Sequence, residues 1–134
     1  MEIVYAVERT LSVEAFRDIL VRSTLGERRP VDEPERLATM LAQADVIITA
    51  RQNGKLVGVS RAVTDFSFCC YLSDLAVDEA YQHRGIGKAL VARTHQEAGL
   101  HTTLILLAAP KAVDYYGKIG MTKSDVCWIV PRNS

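Results

Sequence analysis

The strongest chemical signal in the chain lies at residues 81–90, Tyr-Gln-His-Arg-Gly-Ile-Gly-Lys-Ala-Leu. Gly85 and Gly87 carry no Cβ that would hold a ligand away from the backbone, and the residues after them open a helix whose first amides have no carbonyl partner within it. Unpaired N–H donors at the positive end of a helix dipole make a seat for phosphate. Arg84 and Lys88 add charge at its rim, and Gln82 adds a neutral donor. Spacing separates this loop from two other phosphate binders. A dinucleotide-binding G-x-G-x-x-G needs a third glycine that Ala89 and Leu90 do not supply, and a P-loop needs G-x-x-x-x-G-K-[ST]. A glycine turn that merely opens a helix would read the same over this stretch, so the surrounding elements decide.

Those elements form a strand–helix–strand unit. Phe68 to Val77 reads as a strand ending at Asp78-Glu79, Gly85 to Ala98 as a helix, and Thr102 to Ala108 as a strand buried on both faces. Such a crossover sets a helix N-terminus beside strand ends, where ligand chemistry collects. Upstream, residues 3–8 mix β-branched and aromatic types in a first strand. Ser12 stands where a helix cap would, and Val13, Phe16, Ile19 and Leu20 then fall on one helical face. Gly26, Pro30, Pro34 and charges make residues 24–35 a surface loop suited to the rim of a site. Leu37, Met40, Leu41 and Ala44 repeat at helical spacing, with Pro34 near the first turn. Asn53-Gly54 between Val46–Gln52 and Lys55–Thr64 signals a tight hairpin. Ala112 to Ile119 predicts a short helix and Met121 to Val130 a final strand, stopped by Pro131. The result is a mixed α/β layer fold.

With 134 residues, the chain is sized for one domain, expected to span residues 1–134, since independent domains take on the order of 100 residues each. A hydrophobic content of 49% supplies an ordinary core. The 16 Lys+Arg against 16 Asp+Glu leave no net field to gather polyanions, so neither nucleic acid nor a membrane surface is an expected partner. The N-terminus lacks the cationic start and apolar run of a signal peptide, and no apolar stretch nears the roughly 18 residues of a membrane span. Cys69, Cys70 and Cys127 form an odd set without metal-ligand spacing. No metal site is expected, and reduced thiols fit a cytoplasmic location.

Gln82, Gly85 and Gly87 match a Q/R-x-x-G-x-G/A signature, and the loop resembles that of the GNAT superfamily of N-acetyltransferases. The preceding Ser-Asp-Leu-Ala-Val-Asp (73–78) is similar to the strand that leads into the loop in that family. Ala112, Tyr115, Tyr116, Gly120 and Met121 are similar to its A-x-x-F-Y-x-x-x-G-F segment, and the element order matches along nearly the whole chain. The resemblance implies a single α/β domain: a mixed, mostly antiparallel sheet with splayed central parallel strands and flanking helices. It implies acetyl-CoA as co-substrate, its diphosphate on the amides from His83 through Arg84, Gly85, Ile86 and Gly87 to Lys88, with Gln82 beside them. The pantetheine arm would pair with open backbone at Leu75, Ala76 and Val77.

The implied reaction is acetyl transfer to a primary amine, on a small molecule or an exposed peptide amine, by direct attack. An amine attacks only when neutral, the tetrahedral oxyanion needs a donor, and the departing thiolate needs a proton. The family-like oxyanion donor is a backbone N–H near Ala76 or Val77. Tyr116 matches the position of the general acid. Its neighbour Tyr115 is expected to be core. The base is the weak point, because the family's basic positions on the strand match Tyr71 and Ser73. Asp74 is the nearest carboxylate, and strict alternation sends it to the sheet face opposite Tyr71 and Ser73. A water relay or an acceptor bound already neutral would serve instead. Ala109-Pro110 also replaces an Asn with which relatives contact the pantetheine arm. A rival class, a non-catalytic acyl-CoA-binding sensor or partner-binding module, follows from that missing base.

Other residues carry plainer expectations. The His83 ring should face solvent, and His95 and His101 should be surface residues. The cysteines should be buried small hydrophobes, and Trp128 should pack in the final strand, with the acceptor pocket as its other reading. Arg28 and Arg29 read as solvated charge or as partners for an acidic acceptor. In the resembled family the final strand often pairs across a dimer, so a homodimer is also implied.

Overall fold

Asn53 and Gly54 turn the chain with φ of 50° and 82°, values that this pair adopts at little cost. In the computed structural model, which describes residues 2–133, the strands joined by this turn are β2 (Val46–Gln52) and β3 (Lys55–Thr64). With β1 (Val4–Val7), β4 (Cys69–Val77) and β5 (Thr103–Ile105) they form one sheet in the order β1-β2-β3-β4-β5. The first three pairings are antiparallel, and β4–β5 is parallel.

Strand alternation divides the core between two faces. Ile47 and Val59 meet α1 (Val13–Arg22) and α2 (Pro34–Gln43), whose Phe16, Ile19, Leu20 and Leu37 are fully buried. Ile48, Val57 and Leu72 meet Ile86 and Leu90 of α3 (Ile86–Ala98) on the other. The Ser12 hydroxyl accepts the Ala15 N–H at 3.1 Å and fixes the start of α1. The loop expected over residues 24–35 ends at Glu33, since Pro34 and Glu35 already open α2, and it is tightened by a 3-10 turn at Leu25–Arg28.

β4 carries a bulge that sequence alternation does not anticipate. Arg61 pairs with Asp74 and Ala62 with Leu72, leaving Ser73 as an extra residue. Past it the faces exchange. Cys70, Leu72, Leu75 and Val77 belong to the α3 side, whereas Ala76 joins the α1–α2 side and Asp74 meets Arg29 and Arg61. Asp74 therefore does not face opposite Tyr71, as strict alternation required.

The parallel strands splay as expected. β4 and β5 pair only at Cys69–Thr103, Cys70–Leu104 and Tyr71–Ile105, so from Leu72 to Val77 one edge of β4 has no strand beside it. Three expectations for the C-terminal part are corrected. β5 is confined to three residues and is not buried on both faces: Ile105 is 55% exposed. The helix expected at 112–119 is a 3-10 turn at Pro110–Ala112 followed by α4 (Tyr115–Lys118). Met121–Val130 forms no strand at all. β-branched and aromatic residues favour a strand only where a neighbour packs against them, and no strand of the described chain pairs with this segment. Trp128 is accordingly 94% exposed instead of packed. Among the described residues, no helix is long and apolar enough to cross a membrane.

Candidate active site

The loop between β4 and α3 is fixed by its flanks. The Asp78 carboxylate takes Arg22 Nη1 at 2.6 Å and the Ala80 N–H at 2.8 Å, tying the end of β4 to the end of α1. Burial pushes the Asp78 carboxyl up, but the Ala80 amide and Arg22 outweigh it, and its pKa falls below the usual value. The Tyr81 hydroxyl donates to Gln52 Oε1 at 2.7 Å, while the Arg84 and Lys55 cations lie over its ring at 5.2 and 5.4 Å. His83 (φ 65°) and Gly85 (φ 81°) turn the chain into α3 through left-handed conformations. The amides of His83, Gly85, Ile86, Gly87 and Lys88 have no backbone acceptor among the described residues. This is the electropositive N-terminus that the glycine spacing implied. The His83 ring is exposed, and Lys88 and Arg84 lie at the surface of the turn.

Gln82 behaves differently from a rim donor. Its Nε2 donates to the Val77 carbonyl at 3.3 Å, so it braces the open edge of β4. That edge and the loop line one cavity of about 700 Å³, together with Ser73, Arg29 and Tyr116. A recess of about 120 Å³ between β1, β2 and α3, at Ala6, Ile48 and Arg93, lies away from the loop and is too small for an extended ligand. Leu75 and Val77 line the large cavity; Ala76, 2% exposed, packs on the opposite face.

Tyr115 and Tyr116 close the far side, their rings edge-on at 5.1 Å between centroids. Burial pushes the Tyr116 phenol above its usual pKa, Tyr115 adds to the effect, and the Arg29 guanidinium opposes it. The group thus keeps its proton at neutral pH. Tyr115 is not the core residue expected: its phenol oxygen stands where a Cβ on Gly87 would lie, beside the Lys88 amide. Only a glycine at 87 lets the phenol approach this closely. Burial raises the Tyr115 pKa, and the Lys88 N–H works against that rise.

Asp74 is removed from contention as a base facing the cavity. It is fully buried, with Oδ1 on Arg29 Nε and Oδ2 on Arg61 Nε. Arg29 also donates to the Ser73 carbonyl at 2.7 Å and the Arg28 carbonyl at 2.8 Å, and Arg61 to the Ser73 hydroxyl at 3.0 Å. The two arginines hold the bulge. Sequence reasoning missed this cluster because the residues lie far apart in the chain and the bulge reverses the strand's parity. Of the cysteines only Cys70 is buried; Cys69 and Cys127 are exposed, against expectation. His95 Nε2 lies 2.7 Å from the Thr102 carbonyl and helps join α3 to the approach to β5. Among the described residues, no group of His, Cys, Asp and Glu could hold a metal ion.

A mixed sheet that opens between its parallel strands, with a glycine turn and a helix N-terminus lining the same cavity, defines the class: a single α/β domain with a cleft at its splayed parallel strands. Comparison with known proteins gives that class its family. The model of the acetyltransferase (GNAT) family matches residues 13–121, and the chain belongs to this family. GCN5-related N-acetyltransferase 2, chloroplastic, of Arabidopsis thaliana is 36% identical over 75 residues, which are 52% of this chain and 28% of that protein. The uncharacterized N-acetyltransferase ycf52 of Pyropia yezoensis is 29% identical over 102 residues, 72% of this chain and 57% of that protein. The matches thus span well under two thirds of these curated relatives. Among solved structures, a GNAT family acetyltransferase from Streptococcus pneumoniae TIGR4 superposes with a TM-score of 0.73 at 22% identity, covering 98% of this chain and 100% of that one. An aminoglycoside acetyltransferase from an uncultured soil metagenomic sample, in complex with trehalose, gives 0.71 at 20% identity, covering 99% and 96%. At these identities the likeness is one of fold.

Proposed function

We propose that the chain transfers an acetyl group from acetyl-CoA to a primary amine. The observation that carries this reading is the convergence, on one cavity, of the His83, Gly85, Ile86 and Gly87 amides, which have no backbone acceptor among the described residues, the open β4 edge and the protonated Tyr116 phenol. The helix N-terminus, with Lys88 and Arg84 nearby, supplies the charge that a diphosphate needs. The N–H and C=O of Leu75 and the N–H of Val77, freed where β5 departs, can bond a peptide-like arm as a further strand would. Acetyl-CoA supplies an activated thioester; the protein supplies its orientation.

The remaining chemistry is assigned to named groups. A backbone N–H on the β4 edge near Ala76 or Val77 donates to the oxyanion. Tyr116 holds the proton for the leaving thiolate, and its raised pKa keeps that proton in place until a strong base forms beside it. Asp74, turned away from the cavity, removes no proton from the amine, so a bound water or selection of the neutral amine serves that need. This absence of a cavity-facing strand carboxylate is also what the alternative reading, a non-catalytic acyl-CoA sensor, rests on.

Calorimetry with CoA beside a thiol-release assay over a panel of amines separates the two. Saturable CoA binding with acetyl-CoA-dependent acetylation of an amine is the expected result. Binding without acetylation of any amine would leave the sensor, and no binding would remove both.

A further inference from the structure

We propose that the acceptor is an amine that also carries a carboxylate, seated on Arg28 with Arg29 fixed behind it; this rests on the transferase reading above. The first support is a charge count. Arg28 and Arg29 line the cavity together with Ser73 of the β4 bulge, Arg61 lies buried behind them, and one carboxylate, Asp74, sits between Arg29 and Arg61. Asp74 is spent on Arg29 and Arg61, so the cluster keeps a cationic excess. Its field is not relieved by the remaining acids of the cavity wall. Glu27 is paired with Lys111 at 3.9 Å, and Glu79 belongs to the turn that precedes the cofactor loop.

The second support is the contrast between the two neighbouring arginines. Arg29 is locked, its three nitrogens each engaged: Nε on Asp74, Nη1 on the Arg28 carbonyl, Nη2 on the Ser73 carbonyl. Arg28 lines the same cavity, is exposed, and has no hydrogen-bond or ion-pair partner for its guanidinium among the described residues. A planar fork with its donors unspent, at the mouth of a cavity, matches a carboxylate in geometry as well as charge. The third support is location. The Arg29 guanidinium acts electrostatically on the Tyr116 phenol, so the cationic cluster shares an end of the cavity with the proton donor. A diamine approaching there would meet cations, with no unpaired carboxylate at that end to receive its second ammonium.

The test uses ω-amino acids, their methyl esters and diamines of equal chain length as acceptors, with thiol release as the readout and CoA calorimetry run on the same protein. The acids should exceed the esters in kcat/KM by about tenfold, the lower end of what a charge-assisted hydrogen bond supplies at a partly exposed site. Arg28→Gln should bring that ratio close to one, and Arg28→Lys should keep part of it. Equal rates for acid, ester and diamine, or a preference that survives Arg28→Gln, would overturn the inference while acetyl transfer stands. Should CoA bind and no amine be acetylated, the transferase reading fails instead. Titration of the same acids and esters into the CoA-saturated protein then decides: binding that needs both the carboxylate and Arg28 upholds the inference, and equal binding overturns it.

Discussion

β2, β3 and the first residues of β4 have a hydrogen-bonded strand on each side, and helices cover both faces of this part of the sheet. β5, in contrast, has one partner over three residues, and the chain from residue 121 to 130 pairs with no strand. Ile105, Leu107, Val126 and Trp128 are at least half exposed as a result. The difference teaches where each part of the site gets its precision. The turn at residues 83–88, the strand β4 that carries the open edge and the arginine cluster are anchored in the better packed half. Tyr115 and Tyr116 hang from the sparsely anchored half, on a helix of four residues. On the proposed reading, binding geometry is set by the better packed part of the molecule, and Tyr116, the proposed proton donor, comes from the less packed one.

The sharpest way to break this comparison is at Asp74. Asp74→Ala would leave the Arg29 and Arg61 guanidiniums facing each other in the packed half without a counter-ion, and should cost about 3–5 kcal/mol in urea unfolding. A loss under about 1 kcal/mol would mean that the cluster is hydrated and the packed half less closed than described.

Next in size is Tyr116→Phe, which should lower kcat by about 100-fold while CoA affinity stays within a few-fold. The same residue sets a pH expectation. Its pKa is raised above the usual 10, so the acidic form persists through pH 9, and turnover lost to its ionisation should appear only above pH 10. A kcat profile that falls between pH 8 and 9 in the wild type, and keeps that limb in Tyr116→Phe, would assign the limb to another group.

Tyr115→Phe should have a smaller effect of opposite sign. Removing the phenol oxygen that lies over Gly87, beside the Lys88 amide, frees a donor of the phosphate turn, and CoA should bind about fivefold more tightly, the worth of one hydrogen bond near 1 kcal/mol. The smallest effect is expected at Trp128. Trp128→Ala should change stability by less than about 0.5 kcal/mol because the ring is exposed. A loss of several kcal/mol that grows with protein concentration would show that this segment is covered by a second copy.

The sequence made legible those features that depend on local rules. Ser12 caps α1, Asn53-Gly54 closes the β2–β3 hairpin, and the Gly85-x-Gly87 spacing opens α3 with free amides. Each is decided by a few adjacent residues. The splay of β4 from β5 came from family resemblance and is found in the structure. What stayed hidden depended on contacts between distant residues. The bulge at Ser73 is held by Arg29 and Arg61 from two other segments, and without it alternation places Asp74 on the wrong face. Residues 121–130 have a strand's composition, but composition cannot tell whether a free edge is within reach. Tyr115 and Gly87 meet across 28 positions, and nothing near either residue announces the contact.

The central claim is that the turn at residues 83–88 and the open edge of β4 bind one ligand together. Backbone amide NMR during a CoA titration tests it most directly. The account predicts that the signals of Gly85 and Gly87 and those of Leu75 and Val77 shift with one common saturation curve, while amides of β2 stay still. Saturation of the turn with the β4 edge unmoved, or no saturable response in either, would contradict it.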